Sequence, residues 1–252
     1  MPQPSQHKDL EQRLERKING LFIIHEIGRA LQRTTDPDEL LYIVLVGVTA
    51  GEALKFNRAF LCLLNEEKTC LEGRMAIGPA SPEAADRIWE SPASKCLTLN
   101  DIVRFYQKAT HNQDTHVHDL VRRIRIPVSD TDRALIQTLN NQTSYLVEQA
   151  NHDHHIPEAF LALIGTRSFV VVPLFSQGQP LGVLLSDNMI TGRPIQADDV
   201  AFLEIFAQQA SATIENSFLY DALGRAINVN SRIQKGAAFT LRFPIHRHDA
   251  DE

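Results

Sequence analysis

A group of closely spaced histidines in the middle of the chain has the residue types that bind metal ions. Six of the ten histidines fall between His111 and His155, and residues 152–155 read His-Asp-His-His. Neutral imidazole binds zinc, copper, nickel and iron, so His152, His154 and His155 are candidate metal ligands. They lack the four-residue helical spacing of zinc peptidases, however, and no cysteine pair accompanies them. We therefore expect solvated histidines in a surface segment and predict no metal.

The three cysteines are too few for a disulfide framework, but a thiol can also serve as a redox group. Cys62 and Cys70 fall on two neighbouring predicted strands. An even-numbered turn pairs Cys62 with Leu71 and directs Cys70 to the opposite face of the sheet, so the two thiols cannot form a bond. We expect Cys62 to be buried and unreactive, which leaves Cys96 as the candidate redox residue.

A local basic run, Arg122-Arg123-Ile124-Arg125, stands out in a chain whose net charge is −6 at pH 7. Guanidinium groups bind carboxylates and phosphates, so Arg125 is a candidate contact for an anionic ligand. The alternative is a solvated helix face that pairs with nearby carboxylates. Trp89, the only tryptophan, either forms an aromatic wall of a ligand pocket or anchors a helix to the core.

Apolar periodicity predicts helices at both ends of the chain. Residues 7–34 have apolar side chains at alternating steps of four and three, which favours either packing on the chain's own domain or a dimer seam. Asp36 and Pro37 begin a second, strongly apolar helix. A last helix over about 197–225 has one apolar face, formed by Val200, Leu203, Phe206, Ala207, Ala210 and Ile214. The stripe of the first helix and this face of the last are the predicted dimer surfaces.

Two hairpins and a long insertion lie between these helices. Polar turns at 65–68 and 176–179 each separate two apolar runs, which is typical of antiparallel strands. Residues 79–160 are polar and irregular, and we predict short helices there at 98–108 and 116–124. The segment is too long for a simple loop, so we interpret it as a lid or insertion.

This order of elements predicts an α+β fold with an antiparallel sheet. The N- and C-terminal helices would cover one face of the sheet, and the long insertion would cover the other and enclose a ligand pocket. We divide the chain into a possible dimeric coiled coil at 1–34, a domain at 35–225 and a tail at 226–252.

Several short motifs, in their order and spacing, resemble the GAF domains of bacterial sensor histidine kinases over about residues 20–222. They are Asn57-Arg58-Ala59-Phe60, Ile77-Gly78-Pro79, Val172-Pro173-Leu174, Leu181-Gly182-Val183 and Asp187-Asn188. The resemblance implies an antiparallel sheet, terminal helices that pair in dimers and a small-molecule pocket. It adds Arg58, Asp187 and Asn188 to the candidate ligand-binding residues, although Asp and Asn side chains also organise turns.

The C-terminal segment INVNSRIQKGAAFTLRFPI resembles the end of a histidine-kinase ATP-binding domain, through residues that include Gly236 and Pro244. The dimerisation helices and nucleotide lid of such kinases have no counterpart before it. We therefore interpret 226–252 as a truncated remnant and predict no kinase catalysis.

Three functions follow from these observations. The first is a sensory, ligand-binding GAF domain of the two-component type, which signals through dimeric terminal helices and lacks intact kinase catalytic parts. The second is an enzyme that reduces free methionine sulfoxide with Cys96. The third is a non-catalytic, dimerising kinase fragment.

Charge and hydropathy limit the partners and the location. A net charge of −6 argues against nucleic acid as a partner. No apolar run approaches the roughly 18 residues that a membrane span needs. With a polar N-terminus and few cysteines, we expect a cytoplasmic protein that binds no membrane. The residues identify neither a cofactor nor the ligand.

Overall fold

A computed structural model describes Arg29, residues 36–49, Leu54, and residues 56–81, 83–85, 115–150, 153–232 and 236–241. The helices are α1 (Pro37–Thr49), α2 (Thr115–Val121), α3 (Ala134–Asn141), α4 (Glu158–Ile164) and α5 (Ala197–Ala226). The strands are β1 (Arg58–Leu64), β2 (Cys70–Ile77), β3 (Arg125–Pro127), β4 (Tyr145–Val147), β5 (Phe169–Ser176), β6 (Gln179–Asp187), β7 (Ile227–Arg232) and β8 (Gly236–Leu241).

Some of the predictions fall outside the described residues. These are the helix over 7–34 apart from Arg29, the short helix at 98–108, Trp89, Cys96 and His152.

The start of α1 confirms the predicted helix signal. The Oδ1 atom of Asp36 accepts hydrogen bonds from the backbone nitrogens of Asp38, at 2.9 Å, and Glu39, at 3.2 Å. These contacts satisfy two of the backbone N–H groups that every helix leaves unpaired at its first turn. The helix then buries eight of its residues.

Six strands form one antiparallel sheet in the order β3-β2-β1-β6-β5-β4. Both predicted hairpins are confirmed. At the second turn, Gln177 and Gly178 have φ angles of 50° and 77°, the left-handed conformations that a two-residue hairpin loop requires. At the first turn, the side-chain oxygen of Asn65 accepts hydrogen bonds from the backbone nitrogens of Thr69 and Cys70.

The predicted register of the first hairpin was wrong by two residues. Leu71 pairs with Leu64, and Cys62 pairs with Gly73. The backbone nitrogen of Asn65 donates to the carbonyl oxygen of Cys70 at 2.9 Å, so the turn spans residues 66–69 instead of 65–68 and the second strand pairs two residues further along. Because a shift of two residues preserves the face, Cys62 still packs beside Leu71 and Cys70 still points to the other face.

Each face of the sheet carries its own hydrophobic core. Helices α1 and α5 cover one face, with buried residues that include Leu41, Leu45, Leu203, Phe206 and Ile214. The insertion covers the other face, with buried residues that include Val121, Leu135, Leu139, Phe160 and Ile164. This two-faced arrangement is the predicted α+β fold.

The insertion is more than a lid over the sheet, which corrects the sequence interpretation. Its short strands β3 and β4 pair with β2 and β5 and so form both edges of the sheet. Each has only three residues, too few for an alternating pattern to be recognised. Of the two predicted helices, the one near 116–124 is present as α2.

Helix α2 lies so close to β2 that only glycine fits between them. A Cβ atom on Gly73 would lie 1.8 Å from the carbonyl oxygen of Val121. The backbone nitrogen of Gly73 donates to the carbonyl oxygen of Ile124 at 2.9 Å. This close approach fixes the chain immediately before β3.

Helix α5 buries the apolar face that the sequence predicted. Leu203, Phe206, Ala207, Ala210 and Ile214 are buried, and Val200 packs against them. This face cannot also serve as a dimer surface, contrary to expectation, because it forms the core of its own domain. The exposed stripe of α5, with steps of four and three residues, consists instead of Ile205, Gln209, Ala212, Asn216 and Leu219.

Candidate functional site

A cleft of about 280 Å³ lies between the edge strand β3 and the insertion helices α3 and α4. Its floor is apolar and is formed by Ile124, Leu135, Ile156, Phe160 and Leu163. The central part of the same sheet face is filled by buried side chains. The space between sheet and insertion is therefore open to a ligand at its β3 edge.

One backbone and one side-chain hydrogen bond join the two segments that form one wall of this cleft. The backbone nitrogen of Ala134, at the start of α3, donates to the carbonyl oxygen of His155 at 3.1 Å. The Nδ1 atom of His155 lies 2.7 Å from the carbonyl oxygen of Asp132. Helix α4 then begins after Pro157 and ends at Gly165, whose φ of 68° is a common helix-terminating conformation.

Three arginines line the cleft, and they differ in how strongly they are held. The Nη2 atom of Arg125 lies 2.6 Å from Oε1 of Glu72, although its side chain is 70% exposed. The Nε atom of Arg133 lies 3.7 Å from Oδ2 of Asp130. Among the described residues, no hydrogen bond or ion pair engages the guanidinium group of Arg123. The cleft thus combines an apolar floor with cationic groups, which suits a small organic anion.

The sequence identified only part of this set. Arg125 was a candidate, and it lines the cleft beside Arg123 from the same basic run. Arg133 was missed, because it is a lone arginine 8 positions after Arg125 and no local motif links the two. Only the fold of the insertion brings them to one cleft.

Arg58 and Asp187 lie in the core and do not line the cleft. Their side chains are 1% and 0% exposed, and Nη2 of Arg58 lies 2.7 Å from Oδ2 of Asp187. Arg58 Nη2 also donates to the carbonyl oxygen of Ile164 at 2.6 Å, and its guanidinium lies over the ring of Phe60. Burial raises the pKa of Asp187, and the hydrogen bond and charge of Arg58 oppose that rise. This geometry favours a structural pair, and a ligand contact here stays a prediction.

Asn188 also has a turn contact. Its Nδ2 atom donates to the carbonyl oxygen of Arg193 at 3.0 Å, while its Oδ1 atom is buried without a hydrogen-bond partner among the described residues. In the same turn, Oδ1 of Asn57 accepts from the backbone nitrogens of Ile190 and Thr191. These contacts organise the segment before α5, and ligand binding by Asn188 stays a prediction.

Two of the three cysteines fall within the described residues. Cys62 is fully buried, and burial raises its thiol pKa to about 12, so the reactive thiolate is disfavoured. Cys70 is partly buried, and its Sγ atom lies 3.8 Å from the carbonyl oxygen of Leu71.

The candidate metal ligands His154 and His155 lie together beside the cleft. With Asp153 they form a group whose potential ligand atoms all lie within 4.8 Å of one another. His155 itself lines the cleft. The sequence pattern indicated both histidines as candidate ligands but not Asp153.

Known proteins agree with this architecture. The family model described as GAF domain matches residues 36–214, which is more than half of the chain. The chain belongs to the GAF domain family. Members of this family are generally sensory or signalling domains, whereas the tail's likeness to a kinase ATP-binding domain and the predicted domain boundaries stay predictions.

Solved structures show the same fold at low sequence identity. The chain is similar to residues 122 to 287 of a methyl-accepting chemotaxis protein, with 19% identity, TM-score 0.54 and coverage of 78% of this chain and 99% of that one. It is also similar to the GAF domain of a two-component sensor histidine kinase from Bacillus halodurans, with 18% identity, TM-score 0.50 and coverage of 75% and 99%.

A third neighbour is an enzyme. Free methionine-R-sulfoxide reductase from Neisseria meningitidis, solved in complex with its substrate, is 18% identical, with TM-score 0.52 and coverage of 79% of this chain and 89% of that one. At this identity the likeness shows the fold alone. No curated protein matches the chain. Within the described part of the chain, no helix has the length and hydropathy to cross a membrane.

Proposed function

We propose that this GAF domain is a cytoplasmic sensor that binds a small organic anion in the cleft between β3, α3 and α4. The observation that carries the proposal is the set of arginines, Arg123, Arg125 and Arg133, around an apolar floor. The guanidinium groups would hold a carboxylate or phosphate, and the floor would hold the apolar part of the same molecule.

The size of the cleft limits the ligand. Pockets that bind drug-sized ligands have volumes of roughly 300–1,000 Å³. A cleft of about 280 Å³ lies just below that range. We therefore expect a compact metabolite, such as a short-chain carboxylic acid, in preference to a nucleotide.

A chain of contacts links this cleft to the C-terminal helix. Leu163 lines the cleft, and the carbonyl oxygen of the next residue, Ile164, accepts from Arg58. Arg58 pairs with Asp187, whose Oδ1 atom accepts from the backbone nitrogen of Met189 at 3.0 Å. Residues 188–196 then lead directly into α5. A ligand that shifts α4 would thus change the position of α5 through this pair.

The signal would pass to a second copy of the chain through the terminal helices. On α5, Ile205 and Leu219 lie on the exposed stripe and are 41% and 55% exposed. The apolar residues of this stripe, Ile205, Ala212 and Leu219, recur every seven residues, and a seven-residue repeat is typical of helices that pair. A homodimer would therefore place two α5 helices side by side.

A thermal-shift screen of small carboxylates and phosphates tests the binding proposal. We expect a subset of these anions to raise the melting temperature of the wild type, and Arg133→Gln to remove that rise. Arg74→Gln is the matched control, because Arg74 is also an exposed arginine paired with a carboxylate, Asp38, but does not line the cleft. Equal shifts in all three proteins would contradict the proposal.

The reductase remains the alternative function, and Cys96 carries it. Cys62 is buried in the core, so it is a poor catalytic thiol. Turnover of free methionine sulfoxide by the wild type, abolished by Cys96→Ser, would favour the enzyme. The third alternative, a dimerising kinase fragment, predicts a dimer that no anion stabilises.

A further inference from the structure

The geometry points to a divalent transition-metal site formed by Asp153, His154 and His155 in the turn before α4. Their potential ligand atoms lie within 4.8 Å of one another. The spacing of the histidines in sequence had argued against a metal. The hydrogen bonds around the cluster favour a metal site, because they orient His155 and Asp153 in the way that neighbouring groups orient metal ligands in proteins.

His155 is held in the tautomer that a metal requires. Its Nδ1 atom lies 2.7 Å from the carbonyl oxygen of Asp132, which can only accept a hydrogen bond. The proton therefore resides on Nδ1, and the lone pair of Nε2 is available. Metal-binding histidines almost always donate their second ring nitrogen to a carbonyl or carboxylate in this way. The Nε2 atom of Gln137 lies 3.0 Å from the same Nδ1 atom. Because the nitrogen and oxygen of an amide are assigned from the hydrogen-bond network, a proton on Nδ1 requires the opposite assignment, in which the Gln137 oxygen faces Nδ1 as a further acceptor.

Asp153 is oriented by two donors, one on each carboxylate oxygen. The backbone nitrogen of His155 donates to Oδ1 at 2.9 Å, and the hydroxyl of Tyr145 donates to Oδ2 at 2.8 Å. A carboxylate has about four acceptor positions, so each oxygen keeps one for a metal.

His154 completes the set from an exposed position. Its ring lies 3.9 Å from that of His155, measured between centroids. Tetrahedral zinc, with bonds of about 2.1 Å, requires ligand atoms about 3.4 Å apart. The ligand atoms lie within 4.8 Å of one another, so small side-chain rotations, above all of the exposed His154, bring them to this distance.

The donor set selects the kind of metal. Two imidazole nitrogens and one carboxylate oxygen suit zinc, cobalt, nickel or copper, whereas magnesium and calcium prefer oxygen ligands alone. Three protein ligands leave the fourth position of a tetrahedral metal to solvent. The inference does not depend on the anion proposed for the cleft.

Calorimetric titration of the untagged, EDTA-treated protein with Zn²⁺ tests the site. We expect one equivalent to bind, and Co²⁺ in its place to give the visible absorption of a tetrahedral N and O site. His155→Asn keeps an amide donor for the carbonyl of Asp132 but removes Nε2. Combined with His154→Gln, it should weaken binding by more than the roughly 10- to 100-fold that loss of an outer-shell partner causes.

Two further variants separate ligation from positioning. Tyr145→Phe removes only the donor to Asp153, so it should weaken zinc binding by about 10- to 100-fold. His118→Gln, in α2 and outside the cluster, should leave zinc binding unchanged. Zinc binding that persists in the double variant, or a wild type that binds no zinc at micromolar concentration, would overturn the inference. If the double variant fails to fold, His154→Gln alone replaces it in the zinc titration. His154 is exposed, so this single substitution should leave the fold intact.

Discussion

Arg58 and Asp187 form a buried ion pair although 129 positions separate them in sequence. Both Nε and Nη2 of Arg58 donate to the carboxylate of Asp187, and Nη2 also reaches the carbonyl oxygen of Ile164. The pair joins the start of β1, the end of β6 and the end of α4. It therefore connects the wall of the cleft to the strand that precedes α5.

Breaking this pair on one side should be strongly destabilising. Asp187→Asn leaves the charge of Arg58 buried and uncompensated, which we expect to lower the free energy of unfolding by about 3–5 kcal/mol. Urea denaturation measures the change. The control Asp38→Asn breaks the exposed pair with Arg74 and should cost about 0–1 kcal/mol. Equal losses for the two variants would show that the buried pair is not structural.

The thiol of Cys62 should be inert in the folded protein. Its pKa is raised to about 12 by burial, against 9.0 for an ordinary thiol. The thiol ionises near pH 9.0 in the unfolded chain but only near pH 12 in the folded protein. Its contribution to the free energy of unfolding is therefore complete below pH 9 and is lost as pH rises towards 12. Cys62→Ala should therefore flatten the alkaline fall in unfolding free energy.

A thiol reagent provides the direct measurement for Cys62. At pH 8 we expect modification of Cys62 only in urea, located by mass spectrometry of the peptides. Rapid labelling of Cys62 in native buffer would contradict its burial.

His118 should titrate below the ordinary range of histidine. Burial, and then the positive charge of Arg122, lower its pKa. The unfolded chain therefore binds a proton on this histidine more readily than the folded protein does. The contribution of His118 to the free energy of unfolding is complete above the ordinary histidine pKa, and it is lost as pH falls through the lowered pKa. NMR titration of the imidazole measures the midpoint, and a value above 6.5 would contradict the expectation.

The exposed stripe of α5 should control dimer formation. Ile205→Glu with Leu219→Glu places like charges along the proposed seam, so we expect light scattering to show a monomer where the wild type is a dimer. Phe218→Glu is the control, because Phe218 is an exposed apolar residue of the same helix that lies off the stripe. A monomeric wild type at micromolar concentration would contradict the paired-helix proposal.

Local patterns predicted the elements whose signals are complete within one segment. Asp36 marked the start of α1, the turns at Asn65 and Gly178 marked both hairpins, and the apolar face of α5 was read directly from its spacing. In each case the residues that form the sequence pattern are the same residues that cap the helix, close the turn or pack in the core.

Features that depend on distant segments could not be predicted in this way. Strands β3 and β4 are three residues long and exist because β2 and β5 offer free edges for pairing. Arg133 lines the same cleft as Arg125 only because the fold brings the start of α3 next to β3. Asp153 could be recognised as a candidate metal ligand only from the structure, where the hydroxyl of Tyr145 donates to its carboxylate and the two histidines lie beside it.

Native mass spectrometry of untagged protein as isolated, compared with a cleft-filling variant, tests the central claim most directly. Leu163→Trp adds an indole to the floor of the cleft and occupies the volume that the ligand needs. We predict that the wild type carries a small anionic molecule, which is released on denaturation, and that Leu163→Trp folds but carries none. An equal bound mass in both proteins would contradict the claim that this cleft is the sensory site.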